Sequence, residues 1–126
     1  MKKLLILLFS ILISFNSYGE WEKIYSNDNG ASFFIDLDSI KENNEYVYFW
    51  QLHDQTNPSD TNMMSSKIYK QGDCGVNRVK ILSFTYYNQP MGGGSGKSGI
   101  TPDKWDYPSP GTLGKYILNY VCEYVY

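Results

Sequence analysis

Gly96-Lys97-Ser98 is the tripeptide that ends a nucleotide-binding loop. In that loop, G-x-x-x-x-G-K-[ST], the first glycine makes the turn, the lysine reaches the β and γ phosphates and the serine holds Mg²⁺. Counting back, Met91 stands where the first glycine belongs, and Ile100-Thr101-Pro102 follows where a helix should begin. The stretch therefore reads as a flexible loop that holds no nucleotide. Tyr25 to Gly30 is a near miss for a calcium loop, with Tyr25 in place of the first carboxylate; a hairpin turn explains it better. His53 is the only imidazole, so a Ser or Cys nucleophile has one possible base. It lies beside Asp54 at a strand end, where a solvated loop-edge role suffices. Asp36, Asp38, Asp54 and Asp73 are the carboxylates from which a glycosidase pair would be drawn, but Asp38 before Ser39 reads as turn chemistry. Haem ligation by His53 or a tyrosine has no supporting pattern. No enzyme, metal or cofactor is expected.

The ends of the chain say where such a protein works. Lys2 and Lys3 precede an apolar run from Leu4 to Phe15, and Ser17-Tyr18-Gly19 supplies small residues before a cut. This is the layout of a secretory signal peptide over residues 1–19. The run is too short for a spanning helix, which needs roughly 20 apolar residues, so no stable membrane span is expected after cleavage. The remainder, 20–126, has 107 residues and fits a single domain. It carries 9 basic against 13 acidic side chains, a formal charge of −4. That balance argues against nucleic acid, whose phosphates need Lys and Arg. Cys74 and Cys122 are the only cysteines. In an exported chain an even count reads as a disulfide, here closing most of the C-terminal half. Two free thiols or a partial metal site are the alternatives, and one His in the chain disfavours the second. The first cysteine is Cys74, so no lipid-attachment Cys follows the expected cut.

Strand-like runs must position these residues. Trp21 to Ser26 and Ala31 to Asp36 flank the turn-forming Asn27-Asp28-Asn29-Gly30 and predict a hairpin. Lys41 to Asn44 reads as a further turn. Tyr46 to His53 is the clearest strand: Tyr46, Tyr48, Trp50 and Leu52 point one way, Val47, Phe49, Gln51 and His53 the other. A polar loop from Gln55 to Asn62, a strand from Ser65 to Lys70 and one long or two bent strands from Val76 to Tyr87 follow. Asn88 to Asp106 is irregular. Ser109 is a good N-cap, Pro110 fits the first helical position, and Thr112 to Tyr124 contains no proline, which predicts a C-terminal helix. On it Tyr116, Tyr120 and Tyr124 line one side, and Gly114, Leu118, Val121, Cys122 and Val125 another. The small-residue side is expected to dock on the sheet, with the tyrosines at its margin or simply in the core.

One helix covers one face of a sheet, yet Tyr46–His53 is apolar on both. A second copy of the protein, a ligand, or the glycine-rich loop folded back must cover the other face. Aromatic patches left open commonly mark interaction sites. The candidate contacts are Tyr116, Tyr120, Tyr124, Tyr48 and Trp50.

Several stretches together resemble the surface-adhesin protein E family of bacterial envelope proteins: "FFIDLDSI", "YVYFWQL", "SSKIYKQGDCGVNRVKIL", "TYYNQPMGGG", and the closing "WDYPSPGT" with "YVCEYV". They occur in family order through nearly the whole chain after the leader. The resemblance implies an α+β fold, a curved antiparallel β-sheet of about five or six strands with a C-terminal α-helix tied to it by Cys74–Cys122. It also implies binding to host matrix proteins such as vitronectin and laminin, with haem binding and dimer formation as further family properties. The expectation is an exported, non-enzymatic domain, periplasmic or secreted. It would bind a host matrix protein or other envelope macromolecule through aromatic surface, possible homodimer included. A soluble periplasmic module for a small molecule (haem or a sugar) is the second reading, and a small carboxylate hydrolase the third.

Overall fold

The structure, a computed structural model, describes residues 21–55 and 62–126. The expected leader and residues 56–61 of the polar loop lie outside the described residues. Strand β1 (Trp21–Ser26) and strand β2 (Ala31–Asp36) form the expected hairpin. Its turn is closed by Asn27, whose Oδ1 accepts the N–H groups of Asn29 and Ala31 at 3.0 Å each; that oxygen is thus committed to backbone rather than to a cation. Gly30 sits at φ +86°, which glycine adopts without steric cost. A 3-10 turn over Leu37–Ser39 follows, held by the Ser39 hydroxyl donating to the Asp36 carbonyl at 2.8 Å.

The stretch expected as a turn at Lys41–Asn44 is mostly strand β3 (Lys41–Asn43), which pairs with the start of β4 (Tyr46–Gln55). The reversal itself takes two residues, Asn44 and Glu45, both at positive φ (52° and 72°), the requirement of a tight hairpin turn. Strand β2 pairs with the far end of β4, so β2 and β3 share one of its edges. Beyond lie β5 (Ser65–Asp73), β6 (Arg78–Tyr87) and β7 (Gly96–Ser98). The sheet is antiparallel and seven-stranded, in the order β1-β2-β4-β5-β6-β7 with β3 beside β4. The loop expected to be flexible thus contributes an edge strand, with Gly96–Ser98 laddered onto Thr85–Tyr87 and no helix at Lys97.

Helix α1 spans Leu113–Val125. Its cap is Thr112, whose hydroxyl oxygen accepts the Lys115 N–H at 3.3 Å, and not Ser109 as expected. Ser109 and Pro110 sit in a turn closed by Thr112 N–H to the Ser109 carbonyl (3.2 Å), and Gly111 at φ +82° prevents a helix from running through. The helix buries Ile117, Leu118 and Val121 against Ile35, Val47 and Phe49. Ile117 belongs to the docking side that the spacing assigned to smaller residues. Each such side chain contributes about 1.5–3 kcal/mol on burial. Gly72 allows the approach: a Cβ there would stand 2.9 Å from Leu118 Cδ1 and 3.0 Å from Val47 Cγ2. Cys74, one residue beyond β5, is bonded to Cys122 of the helix with Cα atoms 5.8 Å apart.

Candidate functional site

Alternation along the strands divides the side chains between two faces. Gly72 under Leu118 fixes which is the helix side, and Val47, Phe49, Gln51 and His53 share it. The other face of β4 presents Tyr46, Tyr48, Trp50 and Leu52. Strand β5 adds Lys67, Tyr69 and Gln71 through direct pairing, and β6 adds Arg78 and Lys80. Trp50 lies against Tyr69 with centroids 4.8 Å apart, Tyr69 is 6.3 Å from Tyr48, and the Gln71 amide donates to the Tyr48 hydroxyl at 3.2 Å. These rings are half-buried.

Two irregular segments fold over the ends of this face. At one end Trp105 packs on Tyr46 (5.6 Å) and lies over the Arg78 guanidinium (4.1 Å) and the Lys80 ammonium (4.7 Å). Cations over indole faces are favourable contacts. The segment is tied down by backbone bonds between Val79 and Asp106 and by the Lys80–Asp103 pair at 2.8 Å; Lys80 holds the Asp103 carboxyl below its usual range. At the other end the glycine-rich loop folds back, as one of the sequence alternatives had it. Met91 N–H donates to Asp54 (2.7 Å) and Gly92 N–H to the Ser65 hydroxyl (2.8 Å). Gly92, at φ +73°, passes so close to Lys67 that a Cβ would stand 2.5 Å from its Cε. Leu52, at that end, is fully buried. Between the two flaps Tyr48, Trp50 and Tyr69 remain half-buried, neither closed over as Leu52 is nor fully exposed.

The expected contact residues do not form one site. Tyr48 and Trp50 lie on the open face, whereas Tyr116, Tyr120 and Tyr124 belong to the helix on the opposite side. Tyr116 and Tyr124 are 48% and 55% exposed; Tyr120 is half-buried, and desolvation with Glu22 nearby pushes its phenol up. Tyr116 packs at a tilt against Tyr25 (6.3 Å), donates to the Ile24 carbonyl (3.2 Å) and helps line a cleft of about 460 Å³ with Tyr25, Thr112 and Lys115. Tyr69, Trp105, Arg78 and Lys80 were missed by sequence reasoning; the Lys67-Tyr69-Gln71 alternation was the available signal.

The groups considered for catalysis are held apart by structural tasks. Asp73 accepts the Gly75 and Val76 N–H groups at 3.2 Å each and pairs with Arg78 at 3.0 Å. Asp54 takes the Met91 N–H, and Asp36 keeps one buried oxygen without a partner. His53 stacks on Phe33 with centroids 4.4 Å apart, and burial pulls its imidazole down against the opposing pull of Asp54. Lys70, on the helix side beside Phe49 and Ile81, is drawn down to about 8 by burial, with Asp106 working the other way. Among the described residues, no group of three or more His, Cys, Asp or Glu is placed to hold a metal, and no helix is long and apolar enough to cross a membrane.

No curated protein matches the chain. Among solved structures, crystal form II of Haemophilus influenzae protein E superposes with a TM-score of 0.61 at 19% identity, covering 84% of this chain and 88% of that one. The selenomethionine form of the Haemophilus influenzae protein gives 0.60 at 19% identity over 84% and 87%. Protein E from non-typeable Haemophilus influenzae gives 0.56 at 19% over 84% and 76%. At this identity the similarity speaks for the fold. The family profile described as Surface-adhesin protein E matches residues 21–123, nearly every described position, and the chain belongs to the surface-adhesin protein E family.

Proposed function

We propose that this protein is an exported, non-enzymatic binding protein that engages a macromolecule through the face of the sheet opposite its helix. The observation that carries the reading is the half-buried aromatic cluster of Tyr48, Trp50 and Tyr69 between two flaps. Burying such rings supplies contact area at low cost in side-chain entropy. Family membership supports adhesion as the purpose, with host matrix proteins as the first partners to test. The leader-like residues 1–19 support export, with Glu20 as the first residue after cleavage. Residues 20–126 then act as a single domain, in the periplasm, secreted or displayed at the surface, as a monomer or a homodimer. The tyrosine stripe of the helix is a secondary contact.

Binding to immobilised vitronectin and laminin tests the reading, with the Tyr48→Ala/Trp50→Ala variant set against Tyr116→Ala. Loss of at least tenfold in the first variant, with Tyr116→Ala close to wild type, is the expected outcome. Equal retention by all three would assign the contact elsewhere. Protease accessibility on intact and permeabilised cells decides between surface and periplasm.

A further inference from the structure

The open face is as cationic as it is aromatic, and its charges are ordered. Register places Lys41, Tyr48, Gln71 and Lys80 in one row across β3, β4, β5 and β6. Two residues along the strands comes the row of Trp50, Tyr69 and Ser83, and two further the row of Lys23, Phe34, Leu52 and Lys67. The two lysine rows thus flank the rings and stand roughly 13 Å apart along the strands. With Arg78, this face holds five of the nine cations beyond residue 20. Of its carboxylates, Asp73 pairs with Arg78, Asp103 pairs with Lys80 and Asp54 accepts a backbone N–H, while Asp36 keeps one buried oxygen without a partner. Among the described residues, Lys23, Lys41 and Lys67 pair with no carboxylate; Lys23 lies over Phe34 (5.7 Å) and Lys67 over Tyr87 (5.4 Å).

A protein partner is not what this composition suits best, because the centres of protein interfaces are depleted of charge and of lysine in particular. A polyanion with apolar ring faces suits it better. The C–H face of a sugar packs on an aromatic ring, whose own face is negative. Hydroxyls and amides at the ring edges, here Tyr48, Tyr69, Gln71 and Ser83, match sugar hydroxyls. Lysines on either side match carboxylates carried by every second sugar. Resting on the reading that the open face is the binding face, we infer that its partner is a linear acidic glycan in which charged and uncharged sugars alternate. An uncharged sugar sits on Trp50 and Tyr69, and its charged neighbours meet the two lysine rows.

The test is titration of the purified protein with an oligosaccharide of alternating glucuronate and N-acetylhexosamine, its carboxyl-reduced counterpart, polyglutamate and a single-stranded oligonucleotide. Expected is saturable, salt-sensitive binding of the acidic oligosaccharide. It weakens at least tenfold on carboxyl reduction, in Trp50→Ala, and in Lys41→Gln/Lys67→Gln, whose fold is checked by an unchanged unfolding midpoint, with Lys41→Gln alone, at an exposed position, weakening it in the same direction. No binding of the acidic oligosaccharide, equal binding of polyglutamate or the oligonucleotide, or full affinity in the lysine variant each overturns the inference. If the glycan fails while Tyr48→Ala/Trp50→Ala still loses matrix-protein binding, the face keeps its role and only the partner's chemistry changes.

Discussion

The two faces of the sheet are built from different chemistry although the same strands make both. Under the helix the residues are aliphatic or small, with Ile35, Val47, Ile117, Leu118 and Val121 closing around Phe49 and the bare backbone of Gly72. On the opposite face Trp50, Tyr69 and Tyr48 stand with lysines around them and only flaps at the ends. Close approach of a helix needs small volumes and interlocking shapes. Large rings with polar tips resist such a cover and remain half-wet. The difference teaches that the helix face carries the stability of the domain, while the other face can vary its contacts without unfolding it.

That division can be broken most forcefully at the disulfide. Cys122→Ser removes a link over 48 residues and is expected to cost roughly 4 kcal/mol of stability, read from denaturant unfolding; an unchanged midpoint would mean that the packed helix alone suffices. Gly72→Ala comes next. Its Cβ meets Leu118 and Val47 at 3.0 Å or less, and the overpacking is expected to cost about 1–3 kcal/mol. Lys70 sharpens the comparison because it is a charge placed on the wrong face. Its ammonium titrates near 8 when folded and near 10.5 when not. Below pH 8 it is charged in both states and the burial penalty is complete; between the two values the unfolded chain binds more protons, so stability rises with pH. Lys70→Met is therefore expected to stabilise the protein at pH 7 by on the order of 1–3 kcal/mol, an advantage that shrinks as the pH rises through 8 to 10.5. The smallest effect on stability belongs to Tyr48→Ala/Trp50→Ala, about 1–2 kcal/mol for half-buried rings, in the variant expected to lose most binding.

Much of the fold was legible because it is encoded locally. Asn27 to Gly30 names its own turn, Tyr46–Gln55 shows its alternation, and Leu118 and Val121 lie on the helix side that the spacing picks out. What escaped depends on conformation or distant partners. Asn44-Glu45 turns at positive φ without the glycine that would announce it. Ser109-Pro110 has the chemistry of a helix start, and Gly111 overrules it by its backbone angle. Strand β7 has three exposed residues and no pattern, since only backbone pairing to β6 makes it a strand. Half of the candidate site was visible in Tyr48 and Trp50. The flaps were not, because Trp105 reaches Arg78 and Gly92 reaches Lys67 only after the sheet has formed.

Strand β1 pairs only with β2 and ends the sheet on that side. An unpaired rim of this kind offers its N–H and C=O groups to any extended chain nearby, the opening step of aggregation. Here the rim is blunted twice: the register shifts between Lys23 and Tyr25, and the Tyr116 hydroxyl already occupies the Ile24 carbonyl. A shifted register spoils the straight template that a stranger's backbone would need. That one phenol from the helix works as a stopper against runaway polymerisation.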